Sequence, residues 1–259
     1  MVSATATPAG HRPTADLTRM LPAGMPPAPR LGAGTPAKAD AAAATPAARA
    51  PAAALLEGIP GARPGVTFAR DQEIVADGTP ATECWDILSG CVRLVSLTDD
   101  GRRQVTDLLF PGDILGLEAL DTFDYSAEAI TAATLRRVPR RAVEGRAAAD
   151  AAFACTLRRM MAERMRATRA RLVMLGRMSA TQRIAHFLLE MQARIGTPGS
   201  ADFELPMNRS DIADYLGLTI ETVCRGLTDM RRRQLIAVSR TRITLRDASA
   251  LPAALEHLH

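Results

Sequence analysis

The sequence is short of the features that would place it in a membrane, a disulfide-stapled scaffold or a familiar class of enzyme. No stretch reaches the ~20 apolar residues of a membrane span, and the N-terminus, MVSATATPAGHRPTADLTRM, has no apolar signal-peptide region. A cytoplasmic protein is expected. Cysteine is scarce: Cys84, Cys91, Cys155 and Cys224 are scattered without CxxC spacing, which reads as reduced thiols rather than a disulfide or zinc framework. There is no phosphate loop, no GxSxG, no HExxH and no cluster of carboxylates with histidine, so the chain is not expected to be an enzyme. Neither a metal nor a cofactor is expected.

What is present changes texture along the 259 residues. Residues 1–62 are dominated by Ala, Pro, Gly and Thr, a composition that buries too little apolar surface to offset ordering entropy, and read as a disordered tail. Residues 63–145 carry short alternating runs, such as Trp85-Asp86-Ile87-Leu88 and Val92-Arg93-Leu94-Val95. Asp77-Gly78 and Ser89-Gly90 punctuate them as tight-turn signals. This rhythm predicts a β-roll or jelly roll.

From about Ala147 the period becomes helical, and residues 146–177 read as one long helix. Phe153, Leu157, Met160, Met161, Met165, Leu172 and Leu175 recur along it at helical spacing. Such a stripe either packs on its own sheet or pairs with its twin. Its length favours a homodimer seam. Residues 178–259 open with a further helix over 181–195, in which His186 reads as a core-edge side chain because no second metal ligand accompanies it.

The most informative stretch is MNRSDIADYLGLTIETVCRGLTDMRRRQLI, residues 207–236. Asn208 and Asp211 have the spacing of an N-cap and an acid at N3. Gly217 ends that helix, and Thr219 caps the next, in which Val223, Leu227 and Met230 face inward. The opposite face presents Glu221, Thr222, Cys224 and Arg225, where a helix-turn-helix meets the major groove. Arg225 offers two donors to guanine and Glu221 an acceptor to cytosine, with Cys224 between them. Asn208, Thr219, Thr222, Arg231, Arg240 and Arg242 are candidates for the phosphate backbone, which positions without specifying. Short strands around Arg240-Thr241-Arg242 read as a wing hairpin. The fold class is thus α+β: a β-roll, a dimerisation helix and a C-terminal winged helix-turn-helix. A module that only bound other proteins would need no base-reading pair on its second helix.

These residues resemble the CRP/FNR superfamily. The similarity runs from about Arg63 to Asp247, through LEGIPGARPGVTFARDQEIVADGTPA, WDILSGCVRL and FPGDILGLEAL, and DIADYLGLTIETVCRGL resembles the FixK-type branch. In that branch Glu, two intervening residues and Ser-Arg read a TTGAT half-site. Glu221 and Arg225 match, and Cys224 replaces the serine. The resemblance implies double-stranded DNA and RNA polymerase as partners, homodimerisation and activation. It also allows effectors to be weighed. Gly116 is not followed by the Glu of the cyclic-AMP-binding members, and Tyr125-Ser126 stands where their Arg-Ser is expected, so a phosphate-binding cation is missing. The cysteines do not form the N-terminal cluster that holds an iron-sulfur centre in the oxygen-sensing members, and no histidine lies in the β domain to ligate haem, which leaves only Cys84 or Cys91 as candidate axial ligands there. An effector-free regulator is expected, with Cys224 as its redox-sensitive residue, since oxidation adds bulk and then charge beside the operator. An effector-dependent regulator holding haem or another small ligand is the alternative.

Overall fold

A computed structural model describes residues 55–246 and Leu251. Most of the expected tail lies outside these residues. Its last part does not behave as a tail: Leu56 and Ile59 are buried among Cys84, Ile114, Val138 and Val143. Two apolar side chains spaced to face one way are enough to bind this short segment to the sheet, and the Ala-rich composition around them hid that.

The β domain is a sandwich of two antiparallel four-stranded sheets. The strands are β1 (Val66–Phe68), β2 (Glu73–Val75), β3 (Glu83–Ser89), β4 (Val92–Leu97), β5 (Arg103–Leu109), β6 (Ile114–Leu115), β7 (Ser126–Ala129) and β8 (Ala133–Pro139). One sheet has the order β1-β8-β3-β6 and the other β2-β7-β4-β5. Alternation decides which residues meet between them. Trp85 and Ile87 of β3, Val92 and Leu94 of β4, and Leu135 of β8 fill the interior, with Trp85 edge-on to Phe68 at 5.9 Å between ring centroids. Cys84, on the other face of β3, points outward, towards helices.

The expected single helix is two. Helix α1 (Arg140–Ala149) stops at Asp150, whose carboxylate accepts from the backbone N–H of Ala152 and Phe153, both at 3.0 Å, and so caps α2 (Ala151–Arg177). The apolar stripe of α2 divides. Phe153, Leu157 and Met160 are buried against Cys84 and Ile114 of their own chain, which corrects their assignment to a dimer seam. They follow the sheet because Cys84, Ile114 and Val138 form an apolar patch on its outer side. Met161, Met165 and Leu172 stay exposed, joined by Val173, while Leu175 is half-buried against the core of the C-terminal domain.

That domain begins with α3 (Ala180–Ile195), started by a capping box between Ser179 and Gln182. A strand missed in the sequence, β9 (Asp202–Glu204), follows. Helices α4 (Arg209–Leu216) and α5 (Ile220–Arg232) precede the hairpin of β10 (Ile236–Ser239) and β11 (Arg242–Leu245). The expected wing is therefore a three-stranded sheet, β10-β11-β9, with Ile243 opposite Phe203. The core of this domain continues into the β-roll: Val105, Leu108 and Phe110 of the β5 region pack in one cluster with Ile184, Ile212, Tyr215 and Leu227. Among the described residues, no helix is long and apolar enough to cross a membrane.

One buried carboxylate stands out. Asp86 of β3 has no solvent exposure, neither oxygen has a hydrogen-bond partner, and the nearest cation, Arg136, is 3.7 Å away. Burial pushes its carboxyl up to about 6, with Arg136 opposing and Glu57 reinforcing the rise. A folded-state value above the unfolded one means that native protein binds the extra proton. Relative to its protonated form, Asp86 therefore costs little below pH 3.8 and progressively more stability as pH rises to about 6, above which the cost levels off. Asp86→Asn should raise the unfolding midpoint at pH 8, by an amount on the order of 1–3 kcal/mol, and the gain should shrink as pH falls to 5. Chemical denaturation of both proteins across that range checks it.

Candidate nucleic-acid interface

The site is built on α4 and α5. The side chain of Asn208 accepts from the N–H of Asp211 at 2.9 Å, and Asp211 Oδ2 accepts from the N–H of Asn208 at 3.2 Å, a reciprocal capping box. Gly217 ends α4 with φ 61°, a left-handed conformation that glycine adopts without a steric penalty. Thr219 then caps α5, its hydroxyl accepting from the N–H of Thr222 at 3.3 Å and lying 3.0 Å from the Thr222 hydroxyl.

Val223, Leu227 and Met230 of α5 are buried. Gly226, on the same helix, lets α5 lie close on α3, because a Cβ there would stand 2.5 Å from Ile184 Cδ1. Ile184 is itself fully buried, in a close-packed core.

The opposite face is what the fold leaves to solvent. Glu221, Cys224 and Arg225 are all exposed there, as the sequence led us to expect. The carboxyl of Glu221 is held below the usual carboxylate range by its own backbone N–H and the Thr219 hydroxyl, with Arg225 adding to the effect. It is a charged acceptor at neutral pH. Cys224, Arg225, Thr228, Asp229 and Arg232 line one shallow hollow. Thr222, by contrast, is half-buried, and with Asn208 and Thr219 is already engaged in capping.

The basic residues sort in the same way. Arg231 and Arg240 are exposed. Arg240 sits at the tip of the β10–β11 hairpin with φ 55°, an uncommon conformation for a side-chain-bearing residue. Arg242 is exposed but lies 3.4 Å from Glu204, and Arg233 is paired with Asp229 at 3.0 Å.

Two residues of this face escaped the sequence reading. Ile220, the first residue of α5, is 44 % exposed, although a branched apolar side chain reads as core. Thr228 follows Arg225 by three residues, a spacing that would have placed it on the same face.

His186 is half-buried, and burial lowers its basicity. Cys84 and Cys91 are buried, which pushes their thiols up to about 11 and about 12, whereas Cys155 and Cys224 are exposed. Among the described residues, no group of three or more His, Cys, Asp or Glu is arranged to hold a metal ion. In the β domain, Glu118 is shared between the Tyr125 hydroxyl, which donates to it at 2.6 Å, and Arg164 at 2.9 Å.

Comparison with known proteins agrees with this geometry. Residues 65–150 match the cyclic nucleotide-binding domain, and residues 182–254 the Crp-like helix-turn-helix domain. The chain is 40% identical over 188 residues to the nitrogen fixation regulation protein FixK of Azorhizobium caulinodans, covering 71% of this chain and 76% of that protein. It is 40% identical over 202 residues to FixK of Rhizobium meliloti, covering 76% and 88%. The structure of FixK2 from Bradyrhizobium japonicum superimposes with a TM-score of 0.70 at 36% identity, over 74% of this chain and 96% of that one.

The contact at Gly226 is directly testable. Gly226→Ala should destabilise the domain by about 1–3 kcal/mol through overpacking. Ile184→Val, which deletes the clashing methyl, should relieve much of that cost. A double-mutant cycle on the unfolding midpoint reads the coupling, and strict additivity would show that α5 and α3 do not meet there.

Proposed function

From the premise that the chain belongs to the FixK-type branch of the CRP/FNR superfamily and is a DNA-binding transcription regulator rather than an enzyme, we propose that it acts in the cytoplasm as a homodimeric activator reading a TTGAT-N4-ATCAA-like inverted repeat without an effector. The observation that carries this reading is the exposed Glu221, Cys224 and Arg225 face, held by a helix whose other side is buried. Arg225 donates to guanine O6 and N7, and ionised Glu221 accepts from cytosine N4. Arg231, Arg240 and Arg242 neutralise phosphates, and the capped ends at Asn208, Thr219 and Thr222 lie against the backbone. RNA polymerase is the partner that activation requires.

A second copy supplies the missing cover for α2. Met161, Met165 and Leu172 follow one another at steps of four and seven, the spacing of a two-helix seam, and among the described residues nothing buries them. Two subunits then meet the two halves of an inverted repeat. Independence from an effector is supported by Glu118, whose carboxylate is already taken up by Tyr125 and Arg164.

Fluorescence anisotropy under reducing conditions, with no added effector, tests the proposal. Binding to the repeat should be nanomolar and about a thousand-fold tighter than to a scrambled duplex. A single half-site should bind far more weakly than the repeat. Arg225→Ala should lose about 1–3 kcal/mol and discriminate less at its base pair. Absence of selectivity would overturn the effector-free reading and turn attention to a small ligand of the β-roll.

Cys224 adds a redox layer. Its thiol is exposed on the reading face, and sulfinic acid there places negative charge against DNA. Peroxide should weaken operator binding of the wild type and leave that of Cys224→Ser unchanged. Equal weakening of both would sink the idea.

A further inference from the structure

The DNA-reading helix is not fastened only within its own domain. Helix α4 lies on the outer face of the β2-β7-β4-β5 sheet, and the contact is ionic as well as apolar. Arg93 of β4 is 7% exposed and donates through Nη1 to Asp211 Oδ1 at 3.0 Å, where Asp211 is 1% exposed. Arg103, at the start of β5, donates to Asp214 Oδ2 at 2.9 Å, and the neighbouring Gln104 side chain donates to the Asp214 carbonyl. Glu128 of β7 receives both guanidiniums, Arg93 at 2.7 Å and Arg103 at 3.1 Å, and so fixes the direction in which each one reaches α4.

We infer that Arg93 and Arg103 are positioning residues for operator recognition: they hold α4 on the sheet, and through α4 they hold α5 in the one orientation from which it reads DNA. This rests on the chain's being a DNA-binding regulator. Three features support it. The contacts join residues more than a hundred positions apart, so they fix the relation between two domains rather than the shape of one. They lie on α4, which packs directly on α5, so any shift of α4 carries the reading helix with it. And the held arrangement leaves Glu221, Cys224 and Arg225 open to solvent, so the clamp presents the reading face instead of covering it.

The consequence is quantitative. If only a fraction of free molecules holds α5 in the competent orientation, the apparent dissociation constant rises by the inverse of that fraction. A chain with a ready-made clamp needs no ligand to pay for ordering the domain.

Arg103 and Asp214 are the pair to test, because Asp211 also starts α4 and its loss would unfold the helix. In the full chain, Arg103→Gln and Asp214→Asn should each weaken operator binding on the order of ten-fold, the double variant should be no weaker than Arg103→Gln alone, and Arg103→Lys should recover most of the affinity. Affinity is read on the TTGAT repeat, or on whatever duplex the wild type selects from a randomised pool, so that a wrong operator does not count against the clamp. A second readout separates positioning from folding. Spin labels on the two exposed native thiols, Cys155 on α2 and Cys224 on α5, report the domain relation in free protein diluted into unlabelled protein. The wild type should give a narrow distance distribution. The Gln and Asn variants should broaden it at an unchanged unfolding midpoint. Unchanged distances, additive losses in the double variant, or affinity that stays level or rises when the pair is broken would each overturn the inference.

Discussion

Much of this structure depends on a single buried carboxylate. Asp211 uses one oxygen to accept from the N–H of Asn208, closing the first turn of α4, and the other to receive Arg93 from the β-roll. Burying an acid and a guanidinium together costs desolvation that their attraction repays only when every donor and acceptor is satisfied. Here they are: Arg93 also reaches Glu128 and Asp71, and Asp211 fills a position that the helix start would otherwise leave open. The pair adds little to stability compared with an apolar contact of the same volume, but it is directional. An apolar patch lets α4 slide on the sheet, whereas a two-ended carboxylate fixes both where the helix begins and which strand it faces.

The charges of α2 obey the same logic. Its sequence carries a run of arginines with little acid, and composition cannot say which of them are solvated. Arg164 and Arg171 turn inward to Asp107, at 3.1 and 3.2 Å, and Arg171 also reaches the Tyr215 hydroxyl on α4. Burial pushes the Asp107 carboxyl up, but the two guanidiniums outweigh it and hold the group below the usual carboxylate range. Tyr215 in turn donates to Glu190 of α3. Helix α4 is thus tied on one side to the sheet and on the other to α2 and α3. Arg158, Arg166 and Arg169 remain exposed around the Met161, Met165 and Leu172 stripe.

What the amino-acid order revealed was local. The capping pairs, the glycine that ends α4, the inward row of α5 and the exposed face behind it all follow from residues within a dozen positions of one another, and the helix-turn-helix was legible for that reason. The β-roll was legible from its alternation and turn signals. The two ends of α2 were not separable, because Phe153 and Met165 look alike until it is known that the outer face of β3 lies under one of them. Asp150 as a helix start was hidden in an Ala-rich run that reads as continuous helix. The joint between the domains was invisible, since Arg93 and Arg103 read as ordinary polar positions of alternating strands and their partners lie at 211 and 214.

That joint also bears on the proposal that the β-roll needs no effector. In a regulator controlled by a small molecule, binding energy selects one arrangement of the domains, and polar groups inside the sensor wait for the ligand. In this chain Glu118 is occupied by Tyr125 and Arg164, and Arg164 leads through Asp107 and Arg171 to Tyr215 on α4. A ligand competing for Glu118 would first have to break bonds that already connect the sensor to the reading domain. On the effector-free proposal the β-roll acts as a fixed support rather than as a switch. On that proposal, control falls to chemistry on the exposed face of α5, where Cys224 lies beside Arg225.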